Sequence, residues 1–406
     1  MPTAVFVAPF LLEATVRFID AAASLPDVRL GLISQDPEER LPEGVRRKLA
    51  GHYRIEVGTD AQEIADAVRV MSRALAGVDA LLGMLEQLQV PLGEVRDALG
   101  IRGMGAEVAR NFRDKSRMKD VFRANGVPCA AHALADSPDA ARRVAAELGF
   151  PIVVKPPAGA GASGTFRIDD RPRLDEWLGV DPPSPQRPVL LEQMISGDEH
   201  SFDSVMVDSG LRWWSITRYL PTPLEVLENP WIQWAVLLPR STAGAQYDAV
   251  RQYGERALRA LGLTTGLTHM EWFRLRDGGI AISEVAARPP GAQFTSLLSY
   301  AHDTDMYAAW ARLEVFGDFA PPERLYAVGA AYLRGQGSGA VTAVRGLEAL
   351  QAELGGLVVE ARLPRPGQPP GGTYEGEGYV ILRHPETEVV ERALRRVVEV
   401  ARVDIS

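Results

Sequence analysis

The first hundred or so residues alternate short apolar runs with longer stretches of helical spacing. AVFVAPF, VRLGLIS, YRIEVG and VDALLGM read as strands, and DAQEIADAVRVMSRAL sets Ile64, Ala67, Val68, Met71 and Leu75 on one helical face. Strands that alternate with amphipathic helices predict a βαβ-type open parallel sheet. The turn after the first strand, VAPFLLEAT, holds no glycine fingerprint, so dinucleotide binding by that route is not expected. FRDKSRMKDVFRANGVP then reads as a helix stopped by Gly126 and Pro128. SPDAARRVAAELGF (helix), PIVVKP (strand), a glycine loop and TFRIDD (strand) form a small α+β unit, closed by the proline-rich DPPSPQRP at 181–188. From 189 strands dominate: VLLEQMI, SFDSVMV, RWWSITR and WAVLLP, then the helix YDAVRQYGERALRALG, then a hairpin. The tail from about 320 continues with strands, helices and a Gly/Pro-rich loop, RPGQPPGGTYEGEG.

The hairpin carries the most informative pattern. In THMEWFRLRDGGIAISEVAAR, residues 269–275 and 280–286 are rich in β-branched, aromatic and aliphatic side chains, and Asp277-Gly278 between them is a favoured type I′ pair. A two-residue loop there pairs Leu275 with Ile280, Phe273 with Ile282 and Glu271 with Glu284. Like charges directly opposite on a sheet repel. The pairing makes sense if a cation lies between the carboxylates, and carboxylates with phosphate oxygens are the usual ligands of magnesium. Taken alone, the segment reads equally well as a solvated surface hairpin carrying two ordinary acids.

Composition narrows the partners. The 406 residues are 46% hydrophobic and 24% charged, an ordinary globular balance large enough for two or three domains. A formal charge of -9, with acids and arginines mixed along the chain, argues against a nucleic-acid or anionic-membrane surface. No run of about 18 apolar residues occurs, and AVFVAPFLL follows no basic segment and is soon interrupted by Glu13 and Arg17. A cytoplasmic protein with small-molecule partners is expected. The single cysteine, Cys129, rules out an internal disulfide and a cysteine-rich zinc site, and reads as a plain buried thiol. Lysine occurs only at Lys48, Lys115, Lys119 and Lys155, against 40 arginines among the 44 basic residues. Where lysine is seldom used by default, a lysine suggests a place that wants a compact ammonium, though four are few.

PPAGAGASGTF matches G-x-G-x-x-G at Gly159, Gly161 and Gly164, but a dinucleotide fingerprint follows a strand and opens a helix. Here strand-like residues follow. The segment therefore reads as a loop between strands that folds over a triphosphate with Ser163 and bare backbone N–H groups. No Lys-Ser/Thr follows, so it is not a Walker A loop. Lys155, four residues before Gly159, can set its ammonium against phosphate oxygens; a flexible turn with an exposed lysine is the plainer alternative. Further on, VLLEQMISGDEHSFD reads as a buried strand broken at Ser196-Gly197, with Glu192 and Glu199 on either side. Such a break offers backbone donors and acceptors to an adenine, and a carboxylate beyond it can accept from ribose hydroxyls. Neither G-x-S-x-G nor H-E-x-x-H occurs, so no hydrolase constellation competes.

What is specific is the order of the parts: DK, a helix, VVKP with a glycine loop between strands, LEQMISGDE, then a glutamate on each arm of a hairpin ending EVAAR. In that order the chain resembles the ATP-grasp superfamily, from about residue 1 to 320 and on toward the end. The resemblance implies an α/β architecture with an α+β lid: an N-terminal Rossmann-like open parallel sheet domain (1–112), a lid with its linker helix (113–188) and a large C-terminal mixed-sheet catalytic domain with a tail subdomain (189–406). It implies ATP held between two sheets, with Lys115 and Lys155 as nucleotide-binding lysines and Gly159, Gly161, Ser163 and Gly164 as the flap. Glu192 and the backbone of Ile195 resemble the adenine hinge, and Glu199 the ribose acceptor. Glu271 and Glu284 look like the ligands of magnesium, or of manganese in its place. Arg288 shares their strand face by period two and resembles the arginine that stabilises an acyl phosphate. The implied activity is ATP-dependent ligation of a small-molecule carboxylate to an amine, with Glu271, Glu284 and Arg288 as the catalytic set. A homodimer is expected only as the family's habit.

EVAARPPGAQ departs from the Glu-x-Asn-x-Arg of most members, because Ala286 stands where an asparagine serves the second metal. This brings the chain closer to the bacterial L-amino-acid ligases that make dipeptides, and leaves a non-catalytic ATP-binding protein as an alternative. Within the fold, a purine-pathway ligase and a biotin-dependent carboxylase are the rivals, although no phosphoribosyl or biotin-site signature is evident. Trp213, Trp214, Trp231 and Trp234 lie where this fold often places its substrate pocket, although ordinary sheet core accounts for at least half of them; Arg218 and Arg240 are candidate carboxylate anchors that read more readily as surface charges. His269, on the Glu271 face, is a candidate general base, though a hydrogen-bonded structural histidine fits the position better.

Overall fold

The fold is that of a computed structural model of the 406 residues, which describes all of them except Ala160, Ala162, Ser163 and Pro230. Ser163, expected in the flap, therefore lies outside the described residues. Strands β1 (Thr3–Val7), β2 (Arg29–Ser34), β3 (Gly51–Arg54) and β4 (Ala80–Leu82) pair in parallel in the order β3-β2-β1-β4. β1 and β4 are buried along their whole length, which is why they read as unbroken apolar runs. The helix Ala61–Leu75 covers the sheet with Ile64, Ala67, Val68, Met71 and Leu75, the stripe visible in the sequence. Asp60 caps it by accepting from the Glu63 N–H.

The lid is a second, antiparallel sheet. It consists of β5 (His132–Ala135), β6 (Ile152–Lys155), β7 (Phe166–Ile168) and β8 (Val189–Gln193), in the order β5-β8-β6-β7. Helices Pro138–Leu148 and Arg171–Val180 pack on it through Ala141, Ala145, Leu174 and Leu178. β8 sits between β5 and β6, so this sheet includes residues up to Gln193. The helix Lys115–Ala124, expected with the lid, buries Met118 and Phe122 in one core with Met270 and Ile282 of the large domain. Its apolar face decides where it docks, whatever its neighbours in sequence.

The large domain holds β9 (Gly197–Val207), β10 (Gly210–Leu220), β11 (Ala235–Leu238), β12 (Gly266–Leu275), β13 (Ile280–Ala286) and β14 (Ala327–Leu333). After them come β15 (Gly335–Gln336), β16 (Val341–Arg345), β17 (Val358–Arg362), β18 (Gly378–His384) and β19 (Arg402–Ile405). Eight strands form one sheet, β13-β12-β9-β10-β11-β14-β18-β17, and the other three a small sheet, β15-β19-β16. The small sheet is mixed, with β15 parallel and β16 antiparallel to β19, and every described pair in the large sheet is antiparallel. Hairpins such as β9–β10 and β12–β13 join neighbours directly and make antiparallel pairing the only option there. At its far edge, Glu360 on β17 receives Arg17 of the helix Glu13–Ala23 at 2.8 Å and the hydroxyls of Tyr300 and Tyr379 at 2.9 and 2.7 Å. That cluster ties the N-terminal domain to the large sheet.

Candidate active site

β12 and β13 bring Glu271 opposite Glu284, the expected partners, but by an unexpected route. The loop is three residues long, Arg276 to Gly278. Gly278 takes φ 85° and donates to the Leu275 carbonyl, and the Leu275 N–H donates to Gly279 at 2.9 Å. Arg274 then faces Ile280, Phe273 faces Ala281 and Trp272 faces Ile282, one residue off the expected ladder. A bulge between Trp272 and Glu271 takes up Ser283 and restores the register. Freed from the ladder, the Ser283 carbonyl accepts from the Lys119 ammonium at 2.8 Å.

Three of the four lysines converge here. Lys115 Nζ lies 3.3 Å from Glu284 Oε2, and Lys155 Nζ lies 3.7 Å from the same oxygen. Lys155 also reaches Glu192 Oε2 at 3.1 Å, while Glu192 Oε1 stands 3.4 Å from Lys119 without hydrogen-bond geometry. Lys48 alone remains at the surface, paired with Asp20. Burial opposes every one of these charges, and in most cases pairing wins. Against burial, Lys115 and Lys155 hold the Glu284 carboxyl down at about 2. Against burial likewise, Lys119 and Lys155 keep Glu192 low, and Glu192 and Glu284 raise Lys155. Lys119 is the exception, its wholly buried ammonium falling below the ordinary lysine range. Burial and then the neighbouring acids push Glu271 and Glu199 up, Glu271 through Glu284 and Glu199 through Glu271. The facing carboxylates are thus unequal: Glu284 has two lysines within 4 Å, and Glu271 has the His269 ring at 3.9 Å.

A cavity of about 690 Å³ runs between the lid and the large sheet. Gly164, beside Pro156, is not in its wall; every other described residue expected to bind nucleotide or metal or to act in catalysis lines it. Ile195 and Ser196 occupy the break between β8 and β9, and their backbone groups find no hydrogen-bond partner among the described residues. They are free donors and acceptors for the edge of a base. Lys115 and Arg113 donate to the Gly159 carbonyl at 3.1 and 2.9 Å, tying the glycine loop to the large domain. Among the described residues no three His, Cys, Asp or Glu side chains gather into a cation site. Two facing glutamates in a cavity that Lys115 and Lys155 also line fit an ion that keeps phosphate oxygens and water in its shell, as magnesium does.

Residues 120–299 match the family described as ATP-grasp domain. The chain carries an ATP-grasp domain. It is similar to an uncharacterized protein of Sinorhizobium fredii, 27% identical over 371 residues that cover 82% of this chain and 73% of that one. It is also similar to the L-arginine-specific L-amino acid ligase of Bacillus subtilis, 23% identical over 245 residues, which cover 59% of this chain and 58% of the ligase. Among solved structures, the L-amino acid ligase from Bacillus licheniformis superposes with a TM-score of 0.79 at 18% identity, covering 100% of this chain and 99% of that one. At that identity the likeness speaks for the fold. No helix among the described residues is long and apolar enough to cross a membrane.

The ATP-grasp cavity also contains residues that no motif marks. Glu86, in the short 3₁₀ turn Glu86–Leu88 of the N-terminal domain, accepts from Arg288, whose guanidinium also donates to the Pro289 carbonyl at 2.7 Å. The Tyr219 hydroxyl lies 3.4 Å from Glu271 Oε1 and 3.3 Å from His269 Nε2. The other ring nitrogen of His269 stands 2.6 Å from Asp203, a fully buried carboxylate that accepts from Ser201 Oγ at 2.8 Å. Burial opposes the imidazolium, and Asp203 raises its pKa nonetheless. Several expected pocket residues lie elsewhere. Of the four tryptophans only Trp234 lines the cavity: Trp213 packs against His302 and Phe319, Trp214 stacks on Phe202, and Trp231 is exposed. Arg218 and Arg240 are both outside the wall, Arg218 donating to the Tyr247 hydroxyl at 3.3 Å. Cys129 is partly buried beside Lys119, and burial pushes its thiol up, as suits an unreactive side chain.

Proposed function

We propose that the chain is an ADP-forming ligase that joins a small carboxylate to an amine as an amide or peptide bond, with amino-acid-like substrates. One observation carries this reading: Lys115, Lys155, Glu271, Glu284 and Arg288 face a single cavity between lid and sheet. The named relatives support it, among them the L-arginine-specific ligase and the alanine–anticapsin ligase of Bacillus subtilis.

Each residue has a part that follows from its chemistry. Lys115 and Lys155 exchange part of their hold on Glu284 for triphosphate oxygens. The free backbone of Ile195 and Ser196 takes the base edge, with Glu192 behind it and Glu199 placed for the ribose. Glu271 and Glu284 would hold magnesium, or manganese, which when bound neutralises phosphate oxygens. Arg288, held by Glu86, presents a planar donor pair to the phosphoryl group as the substrate carboxylate attacks the γ-phosphorus and ADP leaves. The amine then displaces phosphate from the acyl phosphate. Positioning and charge stabilisation do most of the catalysis.

The test is phosphate release from Mg-ATP against single and paired amino acids and small carboxylates, with mass spectrometry of active mixtures. Pair-dependent release and a product mass equal to the sum of the pair minus water are expected, and both should vanish in the double variant Glu271→Gln, Glu284→Gln. ATP binding without acceptor-dependent release anywhere in the panel would leave a nucleotide-binding protein with no ligase chemistry.

A further inference from the structure

The Gly/Pro-rich segment between β17 and β18 takes no part in the chemistry above, yet it carries two side chains into the cavity. Tyr374 and Glu375 both line the wall. The segment is anchored by Glu377, which accepts from the N–H groups of Gly371 and Gly335 at 2.9 and 2.7 Å. The Tyr374 ring stands edge-on to Trp234 at 4.6 Å, and Trp234 in turn meets Tyr219 edge-on at 5.7 Å. Together they form an aromatic wall. Its upper end touches the glycine loop: the Tyr374 hydroxyl lies 3.9 Å from where a side chain on Gly161 would begin. The C-terminal loop and the flap therefore meet over the same space.

Glu375 is the acid at this end. Among the described residues no hydrogen bond or ion pair engages its carboxylate; Arg362, back on β17, is the cation whose field reaches it. Burial pushes its carboxyl up. A largely buried carboxylate beside aromatic rings, with no cation of its own, matches a protonated nitrogen: the oxygens accept charge-assisted hydrogen bonds and the ring faces attract the same charge. Elsewhere in the same wall Lys115, Lys155 and Arg288 present cations that suit anions. Tyr374 lies in the field of Glu375, Glu271 and Arg288 alike. A substrate held by both sets has its carboxylate toward Arg288 and a cationic group toward Glu375.

We propose that Glu375, walled by Tyr374 and Trp234, anchors a protonated nitrogen of the amino acid whose carboxylate is activated, either its α-ammonium or a cationic side chain. The proposal rests on the ligase reading for the direction in which the substrate lies, and its test does not depend on turnover. Calorimetric titration of L-arginine and of L-leucine, with ADP and magnesium present, is made on the full chain and on Glu375→Gln and Glu375→Asp. Binding of ADP reports that each variant is folded. Glu375→Gln is expected to weaken L-arginine by about tenfold or more, with Glu375→Asp retaining part of the affinity. An equal loss for L-leucine assigns the contact to the α-ammonium; an L-leucine affinity left unchanged assigns it to the side chain. Unaltered binding of both amino acids to Glu375→Gln, or no binding of either to the parent protein, overturns the proposal. Amino-acid binding that depends on Glu375 without any phosphate release would leave this site standing and remove the ligase reading.

Discussion

The ammonium of Lys119 donates to the backbone carbonyl of Ser283 at 2.8 Å, joining a wholly buried helix side chain to the residue that the bulge leaves out of the ladder. Lys119→Met keeps the length and bulk of the side chain but strands that carbonyl and leaves Glu192 with Lys155 alone. Breaking a buried charge pair in this way should cost about 3 kcal/mol, read as a lower urea midpoint with an unchanged slope. An unmoved midpoint would show that the contact adds nothing to stability.

Glu86 meets Arg288 across 202 residues of sequence. Glu86→Gln removes the charge that orients the guanidinium without touching the lysines. The expected result is a kcat about tenfold lower, near 1.4 kcal/mol in the barrier, with the KM for ATP within about twofold of the parent. A rise in the KM for ATP at constant kcat would instead assign Glu86 to nucleotide binding.

Ala286 lies opposite His269 in the hairpin and lines the cavity two residues beyond Glu284. Ala286→Asn adds a carbonyl oxygen to the cavity wall two residues from Glu284, and oxygen ligands are what magnesium takes. The magnesium concentration for half-maximal phosphate release should fall, by about threefold, at unchanged KM for amino acid. An unchanged magnesium requirement would place the added oxygen beyond reach of the ion.

The cluster at Glu360 predicts an acid limb in stability. Burial opposes ionisation there, but Arg17 and the two tyrosine hydroxyls hold the carboxyl below its ordinary value. A depressed carboxylate contributes fully above its unfolded pKa of about 4.3 and loses that contribution as pH falls through the folded value. Between about pH 5 and pH 3 the parent should therefore lose more stability than Glu360→Gln, which never has this component. Parallel loss in both proteins, followed by chemical denaturation, would exclude Glu360 as a source of acid sensitivity.

The hairpin shows how far local pattern reaches and where it stops. Asp277-Gly278 and the alternation around it locate the turn and both glutamates. The three-residue loop and the bulge at Ser283 each displace the ladder by one residue in opposite senses, so the Glu271–Glu284 pairing survives both. Neither displacement is visible in sequence, because one depends on the backbone angle at Gly278 and the other on a lysine from a distant helix. The helix Ala61–Leu75 was fully legible, having a single apolar stripe and a single surface to put it on. The run VLL in β8 announces a strand but not its sheet, and only pairing with β5 and β6 assigns it to the lid. Glu86, Tyr219 and Tyr374 reach the cavity through strand order and loop docking, which no periodicity encodes.

The placement of the lysines has a practical side. Side-chain exposure is 41% at Lys48 but 11% at Lys115, 0% at Lys119 and 9% at Lys155. To an amine-selective reagent the folded chain offers a single lysine. Acetylation of any further lysine requires its cover to open, so a mass spectrum reports exposure of the cleft. A nucleotide that covers Lys115 and Lys155 would leave its footprint as labels that never arrive.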